Sequence, residues 1–260
     1  MIKTARIVLI GALALSHPAQ TAFAQAPKDV EDFLSVSRSI RNSEPVYTGS
    51  DFEKGLQAFT SLRSKLAFGF FEKAARSGHV EAQYYLGMMY FEGDGVEKNS
   101  ENALKWLRQS ARKKNADAEN LLGVMYFSGD GVTEDPTEAA RWFRLAADHG
   151  QVTAHENLGS MYLEGNGVPK DEREAARLFR IAAEQDSTSA QVALGTLYLQ
   201  GVGVPRDPVQ SAKWFLVAGR AGDMDAFDYL ESLLENGSFT KEQVDQASLE
   251  ADAWEASKDE

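Results

Sequence analysis

An eleven-residue phrase returns four times in this chain at a fixed interval: LGMMYFEGDGV from Leu86, LGVMYFSGDGV from Leu122, LGSMYLEGNGV from Leu158 and LGTLYLQGVGV from Leu194. Successive copies start 36 residues apart. A period of this size confines the fold to stacked supersecondary units, because one unit cannot bury its own apolar face and must lend it to its neighbours.

Within a copy, Ala118, Leu122 and Tyr126 recur at i, i+4 and i+8, flanked by Leu121 and Phe127, which predicts a helix with one apolar face. Gly87, Gly123, Gly159 and Gly195 hold one phase inside these helices. Glycine there costs about 1 kcal/mol relative to alanine, so its repetition predicts a neighbouring helix within backbone distance. The helix should stop at the pairs Gly93/Gly95, Gly129/Gly131, Gly165/Gly167 and Gly201/Gly203. Val96, Val132, Val168 and Val204 follow as plugs of the turn.

A second helix should open behind Asn99, Asp135, Asp171 and Asp207, all good N-cap residues. Asn102, Glu138, Glu174 and Gln210 stand three residues on, a capping-box spacing in three copies of the four. Pro136 and Pro208 take the first helical position. The best copy then reads Ala139, Trp142, Phe143, Ala146, Ala147, small residues beside large ones at helical spacing. Helices of about 12 residues are marginal alone in water, so the stack must supply their burial.

The pattern LGxMYxxGxGVxxDxxxAxxWFxxAAxxGxxxA, running from about residue 66 to 232, resembles the Sel1-like repeat, a relative of the tetratricopeptide repeat. The resemblance implies an all-α fold: a right-handed α/α superhelical solenoid of helix pairs, with first helices lining the inner surface. It also implies adaptors that bind a protein or peptide segment in the groove, some restraining the sensor domain of a membrane signalling protein. By analogy with tetratricopeptide repeats, the groove positions lie three before and one after the helix glycine: Tyr84 and Met88, Asn120 and Val124, Glu156 and Ser160, Val192 and Thr196. Asn120 is the leading candidate, since a free amide can both donate to and accept from a peptide backbone.

The remaining chain divides around four repeats over 80–115, 116–151, 152–187 and 188–223. Residues 1–24 read as a signal peptide: Lys3 and Arg6, an apolar run from Ile7 to Leu15, then Ala22-Phe23-Ala24 as the cleavage site. Residues 25–50 read as a flexible leader. Residues 51–79 are N-terminal capping helices, with Phe52, Leu56, Phe59, Leu62, Leu66, Phe70 and Ala74 at helical spacing. Residues 224–260 hold a partial repeat and a capping helix opened by Ser238 or Thr240. Gly78, Gly150 and Gly222 end second helices where Lys114 and Asp186 stand in the alternate copies.

Export without a cysteine leaves stability to the stacked core, and the address expected is periplasmic, with secretion second. The net charge of −12 would repel phosphate backbones; nucleic acid is excluded as a partner in favour of a basic or neutral protein segment. His79, His149 and His155 lack ligand spacing, so no metal is expected. Asp94 and Asp130 in their glycine turns lack a calcium loop's alternating oxygens, and no phosphate loop or other cofactor motif is present. Ser110-Ala-Arg-Lys113 and Ser238-Phe-Thr-Lys241 match S-x-x-K without the elements that complete such a site. A non-enzymatic envelope adaptor or regulator is therefore expected. The alternatives are an envelope enzyme acting on cell wall or β-lactams, and a secreted host-interaction factor.

Overall fold

The computed structural model describes residues 47–258, so the expected signal peptide and nearly all of the expected leader lie outside the described residues. Twelve α-helices and no strand are present among the described residues. A capping pair, α1 (Asp51–Thr60) and α2 (Ser64–Arg76), precedes four repeats: α3 (Val80–Glu92) with α4 (Ser100–Ala111), α5 (Ala116–Ser128) with α6 (Pro136–Asp148), α7 (Val152–Glu164) with α8 (Glu172–Glu184), and α9 (Thr188–Gln200) with α10 (Pro208–Arg220). α11 (Met224–Glu235) and α12 (Lys241–Ala256) close the chain. Each first helix packs most closely on its own second helix and then on the second helix before it, the contact order of a helical solenoid.

The glycine inside each first helix makes room for the second helix of its own repeat. A Cβ built on Gly123 would stand 2.6 Å from the Phe143 ring; Gly159 and Gly195 face Phe179 and Phe215 in the same way, and Gly87 faces Leu107. What approaches is mainly a bulky side chain 20 residues on, and backbone only at Gly87, where Leu107 N would lie 3.2 Å away. Phe143, Phe215 and Leu107 are fully buried as a result.

The turn glycines divide their work. Gly93, Gly129, Gly165 and Gly201 are left-handed C-caps of the first helices. Gly95, Gly131, Gly167 and Gly203, also at positive φ, lie against the start of the preceding repeat's second helix, at Ser64, Ser100, Pro136 and Glu172. The second glycine thus sets how closely one repeat seats on the last. The four valines behind these turns are half-buried against the core.

Asn99, Asp135, Asp171 and Asp207 cap the second helices through their side chains. The reciprocal half of the expected capping box is not formed there. Glu138 and Glu174 turn instead to Arg141 and Arg177, and Gln210 donates to Glu250. Complete boxes occur at Ser50/Glu53 and Thr240/Gln243, so Thr240 opens the last helix. The inter-repeat position is left-handed in every copy: φ is 62° at Lys114 and 65° at Asp186, beside 90°, 89° and 107° at Gly78, Gly150 and Gly222.

Both ends depart from the simple pattern. The helical spacing through Leu62 is broken, since Leu62 takes φ 56° in the turn between α1 and α2 and is 89% exposed; Leu66 is 47% exposed. At the other end α12 packs on α10 rather than on α11. Glu231 stands where the helix glycine would fall one period after Gly195, so a second helix has no recess to enter on α11. Ala247 and Ala251 seat α12 instead, Trp254 meets Trp214 edge-on at 5.3 Å, and Arg220 reaches Asp252 and Glu255.

Candidate partner-binding face

Successive first helices bond to one another directly. Gln151 donates to Asp117 at 3.4 Å, Asn157 to Asn120 at 3.2 Å, and Ser187 and Ser189 to Glu156 at 2.6 and 2.5 Å. No hydrogen bond or ion pair joins successive second helices of the repeats among the described residues. The first helices are the closer-set layer, and a ribbon of helix pairs curves around its tighter side.

At about 100° per residue, positions −6, −3, +1 and +5 from the helix glycine fall within an arc of roughly 80° on that inner side. Tyr84, Met88, Asn120, Glu156, Ser160, Val192 and Thr196 are all half-buried on this arc, as a shared curved face requires. Burial pushes the Tyr84 phenol above its ordinary range, with Asp117 on the next first helix adding to the shift. Thr196 bonds back to Val192 O and is locked to its own helix.

Two of the expected groove residues are corrected by the structure. Val124 is 6% exposed and belongs to the central apolar cluster with Leu121 and Met125, so it offers nothing to a partner. The Asn120 amide is not free: its oxygen accepts from Asn157, itself 6% exposed, and this bond fixes one repeat against the next. Removing Asn120 would strand a buried amide, so its first duty is to the stack.

A set of residues whose common phase the sequence analysis did not single out lies one position before the groove set. Gln83, Glu119, His155 and Gln191 are all buried, in phase with one another. Gln83 and Gln191 donate to the carbonyls of Ala75 and Ala183 near the end of the preceding second helix, at 3.2 Å each. Glu119 pairs instead with His149 at 2.7 Å, and His155 bonds Gln151 O. His149 thus has a specific partner despite its place in a turn, and His79 caps α3 through Nδ1. The readable signal was a polar residue recurring every 36 positions on an apolar face. His149→Ala should cost about 2 kcal/mol by leaving the Glu119 carboxylate unpaired in the interior. Adding Glu119→Gln should restore part of that loss in urea unfolding.

A second ladder crosses between repeats on the other side. Arg108, Arg144 and Arg180 donate to the hydroxyls of Tyr126, Tyr162 and Tyr198, each 18 residues later, at 2.7–2.8 Å. These rungs tie a second helix to the following first helix. Ser110 of the first S-x-x-K match is fully buried and donates to Val80 O, so it is a packing residue; the hydroxyl of Ser238 is 3 residues from Lys241 on an exposed turn. Among the described residues no group of three His, Cys, Asp or Glu side chains could hold a metal ion, and no helix is long and apolar enough to cross a membrane.

The sequence matches the profile of the Sel1 repeat over residues 64–79, 80–115, 116–151, 152–187 and 188–223. A Sel1 repeat protein from Oxalobacter formigenes shares 37% identity over 70% of this chain and 55% of its own, with a TM-score of 0.65. The protein c5321, a protective antigen present in uropathogenic Escherichia coli strains and displaying an SLR fold, shares 31% identity over 80% of this chain and 45% of its own, with a TM-score of 0.68. The chain therefore spans about half the length of these two structures. No match was found among curated proteins. With the repeat profile matched over more than half of its length, the chain belongs to the Sel1 repeat family.

Proposed function

We propose that this protein is a non-enzymatic adaptor of the bacterial envelope that holds a segment of a partner protein along the inner face of its first helices. Sel1 repeat proteins are protein-interaction scaffolds that bind other proteins. One observation carries the reading to this face. The central packing positions hold one residue type in every copy, as at Leu86, Leu122, Leu158 and Leu194 or Ala82, Ala118, Ala154 and Ala190, whereas inner-face positions change from Tyr84 and Met88 to Glu156 and Ser160 and then to Val192 and Thr196. Packing demands uniformity; a surface fitted to one extended partner demands differences along its length. The signal-like residues 1–24 support export to the periplasm.

Crosslinking in intact cells tests this reading. Wild-type protein should capture a discrete partner, and Ser160→Arg with Thr196→Arg should abolish capture while the circular dichroism melt is retained. Capture unaffected by both arginines would place recognition elsewhere. A second reading, a factor displayed to a host, takes support from the 31% identity to a protective antigen; finding the protein in culture medium instead of the periplasm would favour it.

A further inference from the structure

The inner arc has a charge composition that stacking explains only at Asp117 and Glu156, which accept bonds from the next first helix. Four positions on each of α3, α5, α7 and α9 and three on α11 lie on it, taking Glu231 as the glycine equivalent of α11. Seven of these residues are charged, and all seven are acidic: Glu81, Glu92, Asp117, Glu156, Glu164, Asp225 and Asp228. The chain's balance of 27 basic to 39 acidic residues would place about three cations in such a set. None of the five helices carries a lysine or arginine anywhere along its length.

The acids of the other layer are treated differently. Glu138 and Glu174 pair with Arg141 and Arg177, and Asp252 and Glu255 with Arg220. Among the described residues, none of the seven inner carboxylates has a lysine or arginine nitrogen within 4.0 Å. Their hydrogen-bond partners are neutral: Ser187 and Ser189 for Glu156 and Gln151 for Asp117. Half-buried Tyr84 and Met88 add an apolar floor beside these charges.

We infer that the inner face takes a basic partner: an extended segment whose lysine or arginine side chains neutralise these carboxylates while its apolar residues rest on Tyr84 and Met88. This rests on the adaptor reading above and gives its partner a chemistry. A like-charged curved surface attracts and orients a cationic segment before contact, and guanidinium groups can bridge two carboxylates. Successive first helices are linked side chain to side chain, so an extended chain laid across them passes from one repeat to the next within a few residues.

The test uses the mature protein and a fluorescently labelled peptide of four Arg-Gly-Ser triplets, with a Glu-Gly-Ser counterpart. Fluorescence anisotropy should show saturable binding of the arginine peptide alone, weakening as salt rises. Asp117→Asn with Glu164→Gln should weaken it about tenfold. Glu138→Gln with Glu174→Gln removes the same charge from the other layer and should change it less than twofold. Equal losses from both pairs would reduce the effect to bulk attraction by an acidic protein and overturn the inference, as would no binding of the arginine peptide. In either case, crosslinking that remains sensitive to Ser160→Arg would leave the adaptor reading standing and sink only the charge assignment.

Discussion

Gly203→Ala is expected to destabilise the protein by about 3 kcal/mol, far more than the same change at Gly237. Both residues have positive φ, 69° and 76°, so both substitutions carry the cost of a left-handed alanine, about 1 kcal/mol. A Cβ on Gly237 meets open space, whereas one on Gly203 would overlap the Glu172 carbonyl at the start of α8. Backbone in a packed helix cannot rotate away as a side chain tip can, so the third and fourth repeats must separate. The difference between the two urea midpoints measures the seating of one repeat on another apart from turn strain. Equal shifts would show that the turn is not pressed against its neighbour.

Phe143→Ala should cost about 4 kcal/mol, since the ring is fully buried and fills the recess above Gly123. Phe143→Leu should cost only about 1.5 kcal/mol, because the first repeat already packs Leu107 over Gly87 in the equivalent place. The location matters as much as the size. α5 and α6 lie mid-stack, and stability in a solenoid is a sum of repeat and nearest-neighbour contributions, so the alanine variant should unfold in two steps with the flanking repeats parting company. Hydrogen exchange would show protection falling first in α5 and α6; a single cooperative transition at lower urea would contradict that picture.

Much of this architecture was legible before any coordinates, because repetition supplies its own controls. Asp135, Asp171 and Asp207 at one phase are helix starts three times over, and each caps its helix. The reciprocal bonds of the capping boxes were not legible, since Glu138 and Glu174 had arginines three residues on that competed for them. Leu62 was misplaced for a related reason: helical spacing says which residues could share a face, and only the chain's turn at φ 56° ended the helix before it.

The candidate site was legible in outline only. Tyr84, Glu156 and Ser160 fall on the inner arc, yet Val124 at an equivalent phase is sealed in the central apolar cluster. Asn120 could not be seen to be engaged, since Asn157 lies 37 residues away and nothing local relates them. The pairing of Glu119 with His149 escaped for the same reason.

The 36-residue period by itself determined the helices, their caps, their glycine recesses and the order in which they stack, since those depend on interactions between residues near in sequence or one period apart. The tertiary structure alone decided that successive first helices rather than second helices bond to one another, which polar side chains are used up in holding repeats together, and that among the described residues no lysine or arginine of another element reaches the seven carboxylates. Those outcomes depend on distances between helices, which are set by the summed packing of all repeats and are written in no single copy.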